Sequence, residues 1–300
     1  MLKYEIVILH FEKLINPHDE FDPLRLQVTC SALEQNISPE EKNDPLDDRS
    51  DMVVPGLIHR YPNKALWLVT EKCAMQCRFC FRKNIKKFPN CLNGLDDVFN
   101  YLQEHDEVNE LIFSGGDPLT LPTSDFLKIK EKILHLESIK IWRFHTRLPI
   151  FDPIKVDENW LKILEDLIQA DKKVVVVFHI NHPREISNET KELAKKLIEL
   201  GVTVKAQGVL LKGVNDSVKI LQELWETESV VGIEPYYLHQ LDRAPGTSHF
   251  LVDMEQGLEL YSQALNNCQN LISQPKYIID LGSQGKMEVR DYLKNAKSKN

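Results

Sequence analysis

The 300-residue chain is short of positive charge: 37 Lys and Arg stand against 45 Asp and Glu, a formal net charge of −8. That balance disfavours polyanions, so neither nucleic acid nor an anionic membrane surface is an expected partner. Long apolar runs are also missing. No stretch comes near the roughly eighteen uncharged apolar residues of a membrane span. The opening MLKYEIVILHFEKLINP is only briefly apolar and carries Lys3, Glu5 and His10, without the basic start and small-residue cleavage site of a secretory leader. A cytoplasmic location is therefore expected. A paired cysteine framework is lacking as well: Cys30, Cys91 and Cys268 are scattered and are expected as reduced thiols with no assigned role.

What is present is enough for a large core. With 42% hydrophobic residues, one domain of α/β type is the default. Residues 1–50 are mixed, and their polar stretch NISPEEKNDPLDDRSD reads as exposed loop. Beyond it, strand-like runs at 65–69, 110–113, 139–145, 173–180, 202–210 and 230–238 alternate with amphipathic stretches at 95–105, 124–136, 158–170, 187–200, 217–226 and 254–267. Six strand–helix units in series predict a parallel sheet, closed only in part: an open (β/α)6 TIM-like barrel with its site at the carboxyl ends of the strands. A flavodoxin-like sheet is the alternative. The expected organisation is an extension over 1–50, a barrel with the site over 51–290 and a polar tail over 291–300.

Directly after the first strand-like run, Cys73, Cys77 and Cys80 form a Cys-x3-Cys-x2-Cys loop. Three thiolates so spaced can hold three irons of a [4Fe–4S] cubane and leave the fourth iron open. S-adenosylmethionine can chelate that iron through its amino and carboxylate groups. A Cys3His zinc site is the other reading of three clustered cysteines, although no second cysteine knuckle exists. The loop, with Phe79 before its third cysteine, resembles the signature of the radical S-adenosylmethionine superfamily. After the second run, Ser114-Gly115-Gly116-Asp117-Pro118 is either an ordinary tight turn or a place where backbone approaches a ligand. Gln207 and several histidines end later strands, and Lys286 lies in the Gly-containing stretch YIIDLGSQGK. A desolvated lysine there could carry pyridoxal phosphate; a surface lysine is the plainer reading.

Taken in order, Asp44-Pro45-Leu46, residues 59–84, SGGDPL, TRLP, NHPRE, LLKGVND, PYYLHQLD and YIIDLGSQGK resemble the lysine 2,3-aminomutase family. Within it, GLIHRY, CRFCFR, HINH and PYYLHQLD look like the short branch that makes (R)-β-lysine for elongation factor P. The resemblance implies a radical SAM barrel and conversion of L-lysine to β-lysine with a [4Fe–4S] cluster, S-adenosyl-L-methionine and pyridoxal 5′-phosphate. It implies Cys73, Cys77 and Cys80 on the cluster, and Gly115, Gly116, Asp117 and Gln207 on S-adenosylmethionine. Lys286 would attach pyridoxal phosphate, whose phosphate Arg60 and Lys64 would hold. Arg82 would bind the substrate α-carboxylate, and Asp242 and Asp280 its ε-ammonium. Ser217 stands where longer relatives carry a zinc cysteine, so no zinc is expected. A flavodoxin or ferredoxin-like reductant and a homo-oligomer are further expected partners. An aminomutase for another amino acid, a radical enzyme without pyridoxal phosphate and a non-enzymatic metal-binding module are the alternatives.

Overall fold

The structure, a computed structural model, describes residues 9–84 and 92–298; Cys91 lies outside them. Among these residues ten strands form one sheet in sequential order. An antiparallel edge, β1 (Met52–Val54) and β2 (Leu57–Tyr61), leads into β3 (Lys64–Thr70). From β3 the strands run parallel: β4 (Glu110–Gly115), β5 (Ile141–Thr146), β6 (Lys173–His179), β7 (Thr203–Val209), β8 (Glu234–His239) and β9 (Lys276–Asp280). A short β10 (Lys286–Glu288) returns antiparallel to β9. The sheet is an open barrel, as expected, with β9 extending the parallel run by one strand.

Six helices make the crossovers: α1 (Leu95–Glu104), α2 (Thr123–Ile133), α3 (Glu158–Gln169), α4 (Asn188–Glu199), α5 (Val218–Val230) and α6 (Met254–Asn267). Four start on side-chain caps: Asp157, Ser187, Ser217 and Asp253 each accept from backbone N–H groups of the first turn, which supplies partners for otherwise orphaned donors. The segment expected as a polar tail forms α7 (Val289–Lys297), anchored by buried Val289.

Alternation along each strand separates two surfaces. On β5, Trp142 and Phe144 face outward and pack with Phe113, Phe126 and Trp160. Arg143 and His145, one residue out of phase, face the lumen, where Arg143 pairs with Glu110 of β4 at 2.5 Å and donates to Tyr236 Oη of β8 at 3.3 Å. β6 is apolar on both faces from Val174 to Phe178, as a central parallel strand should be. Among the described residues no helix is long and apolar enough to cross a membrane.

Residues 9–50 do not stand apart from the barrel. They run along the loops at the carboxyl ends of the strands: Arg78 N donates to Gln27 O at 2.8 Å, Glu34 accepts from Arg78 Nε at 2.8 Å, and Glu41 accepts from the Gly246 and Ser248 amides at 3.1 Å. The stretch read as exposed loop is buried at its inner end, where Leu46 and Asp48 are 7% and 4% exposed.

Phe113, which is fully buried amid the aromatic cluster, gives a direct test of this packing. Phe113→Ala is expected to lose about 3–5 kcal/mol of unfolding free energy in urea denaturation, and a loss below about 1 kcal/mol would contradict the packing described.

Candidate active site

The cysteine loop leaves β3 at Thr70. The turn after β4 lies flat against it: Gly116 N donates to Thr70 O at 2.6 Å and Asp117 N to Lys72 O at 2.8 Å. A Cβ on Gly115 would stand 2.3 Å from Thr70 O, and one on Gly116 would stand 2.2 Å from Lys72 O. The two glycines are thus required by the approach of the cysteine loop, a reason distinct from contact with a ligand. Asp117 departs further from expectation. Its Oδ1 accepts from Leu119 N and Thr146 Oγ1, and its Oδ2 from Arg147 N and Leu148 N. Those four bonds fill the carboxylate's accepting capacity, so its side chain ties two loops together and is not open to a cofactor.

Burial pushes the Cys73 and Cys80 thiols up, and the neighbouring Cys77 adds to it. Arg147 Nη1 points at Cys77 Sγ from 2.9 Å. Its Nη2 donates to Gln27 Oε1 and Glu185 Oε1 at 2.6 and 3.2 Å, and its guanidinium lies between the Phe79 and Phe151 rings. The raised Cys73 and Cys80 thiols fit a group that brings iron to neutralise thiolates. Among the described residues no three His, Cys, Asp or Glu side chains converge to hold a single ion; a cubane instead distributes its thiolates over separate irons.

Beside this loop the lumen is ringed by polar groups lacking partners. Nε2 of His145, His179 and His239 and Oε1 of Gln207 are buried without a hydrogen bond, on the adjacent strands β5 to β8. Phe79 stacks on His179 at 5.4 Å, joining this ring to the cysteine loop. Burial holds all three histidines low, His179 at about 3, so they are neutral donors or acceptors. Four such atoms ask for a polar ligand with heteroatoms on several sides, and S-adenosylmethionine has that chemistry. Of these, only Gln207 was expected in the site.

At the far side of the lumen the expected lysine and carboxylates come together. The charges of Asp280, Lys286 and Arg82 all act on Asp242. Burial, with Asp280 second, raises the Asp242 carboxyl to about 7. Burial likewise raises Asp280 and lowers Lys286, the latter opposed by Asp280, Tyr236 and Asp242. Lys286 keeps solvent-accessible area while protein atoms crowd its amine, the combination found when a side chain lines a concave wall. Its Nζ lies 4.9 Å above the Tyr237 ring. A bulge between β7 and β8 pairs Ala206 with Pro235 but Gln207 with Tyr237, so Tyr236 and Tyr237 both face inward. An amine held more readily neutral fits a lysine that attaches pyridoxal phosphate.

Arg60 does not stand as a phosphate ligand. Each of its three nitrogens faces an acceptor: Nε donates to Asp51 at 2.6 Å, Nη2 to Leu46 O at 2.7 Å, and Nη1 lies 3.5 Å from Asp280. A dianion approaching it would meet Asp48, Asp51 and Asp280 first. Lys64, over the Tyr61 ring at 4.9 Å, has no such company. Arg82 donates through Nε and Nη2 to Asp48 Oδ2 at 3.2 and 2.8 Å. Asp48, Arg147, Glu185 and Gln27 were not expected as site residues; the only signals were membership of Asp48's neighbours, Arg147 and Glu185 in the resembling blocks.

A profile of the Radical SAM superfamily matches residues 67–224. The fold agrees: a radical SAM methyltransferase from Sphaerobacter thermophilus superposes with a TM-score of 0.51 at 16% identity, over 74% of this chain and 68% of that one. SuiB of Streptococcus suis also gives 0.51, at 17% identity, over 70% and 45%. A radical SAM barrel with a three-cysteine loop is the class so defined. Proteins named L-lysine 2,3-aminomutase share 37% identity in Buchnera aphidicola (82% of this chain, 72% of that protein), 38% in Haemophilus influenzae (80% and 71%) and 35% in Escherichia coli (88% and 76%). The chain belongs to the lysine 2,3-aminomutase family of radical SAM enzymes.

Gly116→Ala places a methyl group inside backbone of the cysteine loop. It is expected to yield soluble protein that binds less than half the iron of the wild type on anaerobic reconstitution, with stability lowered by about 1–3 kcal/mol. Full iron occupancy would show that the loop does not depend on this contact.

Proposed function

We propose that this chain moves the amino group of L-lysine from C2 to C3, making β-lysine. The observation that carries the proposal is the meeting of Arg82, Lys286, Asp242 and Asp280 in one lumen. A cationic end group taken out of water needs compensating charge. Two carboxylates whose own ionisation is opposed by burial, reinforced for Asp242 by the Asp280 charge, provide that compensation and gain from it.

The cluster with S-adenosylmethionine supplies a carbon radical able to remove hydrogen from carbon, and pyridoxal phosphate supplies an imine across which nitrogen can migrate. Cys73, Cys77 and Cys80 would hold the cluster. Gln207, His145, His179 and His239 would face S-adenosylmethionine with their unpartnered atoms, and Lys286 would attach pyridoxal phosphate, with Lys64 toward its phosphate. Arg82 receives the α-carboxylate as a planar fork. Asp242 and Asp280 would receive the ε-ammonium, and their charges also act on the Lys286 amine. The segment 9–50 lies over the mouth and limits access of water. Orientation is the protein's main contribution, because a hydrogen is abstracted only from a carbon held in van der Waals reach. Resemblance of GLIHRY, CRFCFR and PYYLHQLD to the short branch supports an (R) product destined for elongation factor P.

The direct test is anaerobic turnover of reconstituted protein with dithionite, S-adenosylmethionine, pyridoxal phosphate and L-lysine, read by mass spectrometry. β-Lysine in excess over 5′-deoxyadenosine is expected, and deoxyadenosine without β-lysine would refute the substrate assignment. Asp280→Ala is expected to lower kcat/KM by roughly 30- to 5,000-fold, the equivalent of about 2–5 kcal/mol, while pyridoxal phosphate absorbance persists. Parallel loss of both would contradict its role.

The acid limb is a separate check. A carboxyl raised to about 7 is protonated below that pH and cannot compensate an ammonium. The kcat/KM for lysine should therefore fall as pH drops through about 7, following the free enzyme. Asp242→Asn should be slower throughout and lack this limb; an unchanged limb would assign it to another group.

A further inference from the structure

Four side chains of alternating charge cross the mouth of the barrel. Asp280 Oδ1 lies 3.5 Å from Arg60 Nη1, Arg60 Nη2 donates to Asp48 Oδ1 at 3.4 Å, and Asp48 Oδ2 accepts from Arg82 Nε at 3.2 Å and Nη2 at 2.8 Å. Their side chains are 6–15% exposed, so the pairs are little screened by water. The series begins at a residue proposed for the substrate's ammonium and ends at the one proposed for its carboxylate.

Both inner members are fixed from outside the series. Arg60 is held by Asp51 and Leu46 O at 2.6 and 2.7 Å. Asp48 follows Asp47, whose φ is +53°, and its turn is capped by Asp44, which accepts from the Asp48 and Arg49 amides at 3.1 and 3.2 Å. The loop after β9 is seated on the same turn: a Cβ on Gly282 would lie 3.0 Å from Leu46 O.

We propose that Arg60 and Asp48 are positioning residues that set the distance between the carboxylate fork of Arg82 and the ammonium-binding Asp280, and thereby the length of amino acid the site accepts. The inference rests on the aminomutase reading above. Asp48 holds the Nε/Nη2 edge of Arg82 with a single oxygen, leaving the Nη1/Nη2 edge of the guanidinium to face a ligand. A substrate carboxylate therefore joins Asp48 on the guanidinium without displacing it. Arg60, in turn, gives Asp280 a fixed cation besides the mobile Lys286. With both ends tied to one rigid series, the span between them cannot adjust freely to a shorter molecule. L-Ornithine, one methylene shorter than lysine, would reach only one end well.

The test is isothermal titration of L-lysine and L-ornithine into protein loaded with pyridoxal phosphate, with thermal unfolding, iron content and pyridoxal phosphate absorbance measured alongside. The wild type is expected to prefer lysine by about 10- to 200-fold, the range one methylene can give. Asp48→Asn and Arg60→Gln are expected to weaken lysine by about 10- to 100-fold, the cost of opening a buried charge pair, and to bring the lysine-to-ornithine ratio within about threefold, with pyridoxal phosphate retained. Asp48→Glu restores the charge and should recover most of the lysine affinity. Unchanged lysine binding in the variants, or a weakening that leaves the ratio intact, would overturn the relay alone. Loss of pyridoxal phosphate in Arg60→Gln would return Arg60 to the phosphate. A wild type that binds no lysine would overturn both the relay and the aminomutase reading.

Discussion

Compensation of charge in a concave, partly dry lumen is the constraint on which this site depends. Arg60 satisfies Asp48, Asp51, Asp280 and the Leu46 carbonyl at once, and in doing so fastens the N-terminal segment to β2 and β9. Removing it would leave buried carboxylates facing one another, which is costlier than any single exposed ion pair. Near it, Asp48, Asp51, Asp242 and Asp280 outnumber Arg60, Arg82 and Lys286 by one. Asp242 registers the imbalance: the Asp280 charge adds to burial in raising its carboxyl to about 7. A ligand that brings an ammonium group to this end restores neutrality.

The sheet makes such a lumen compatible with a stable core. On β5 one face packs aromatic side chains with Phe113, Phe126 and Trp160, and the other carries Arg143 and His145 inward. Toward the amino ends these inward groups pair their charges, Glu110 with Arg143 and Lys205 with Glu234. Toward the carboxyl ends they do not: His145, His179, Gln207 and His239 each keep a buried atom without a partner. The change from paired charges to neutral groups with unpartnered atoms marks where ligands belong, with the cysteine loop beside it.

The six crossover helices and the strands from β3 to β8 were legible because alternation and helical spacing are properties of local sequence. The cysteine loop was legible for the same reason, its ligands being adjacent in the chain. The β1–β2 edge and β10 are three to five residues long, too short for periodicity to register, and α7 looked like a tail because only Val289 is buried. The roles of Asp48, Arg60 and Asp117 depend on partners far along the chain. Asp48 read as part of a polar loop because charge in sequence gives no hint that Arg60 and Arg82 fold over it. Gly115 and Gly116 pointed to a close approach, but only the fold identifies the approaching group as the cysteine loop itself. Resemblance named Lys286, Asp242 and Asp280 together, and no physical signal in the sequence alone would have joined them.

The central claim is that the lumen selects an amino acid with a positively charged end. It is tested most directly by comparing equilibrium binding of L-lysine and L-2-aminoheptanoic acid, which has the same backbone and chain length with a methyl group in place of the ammonium, to protein loaded with cluster, S-adenosylmethionine and pyridoxal phosphate. The account predicts lysine tighter by about a hundredfold, as expected for a charge set between two desolvated carboxylates. Equal binding of the two would contradict it, because Asp242 and Asp280 would then contribute nothing to recognition.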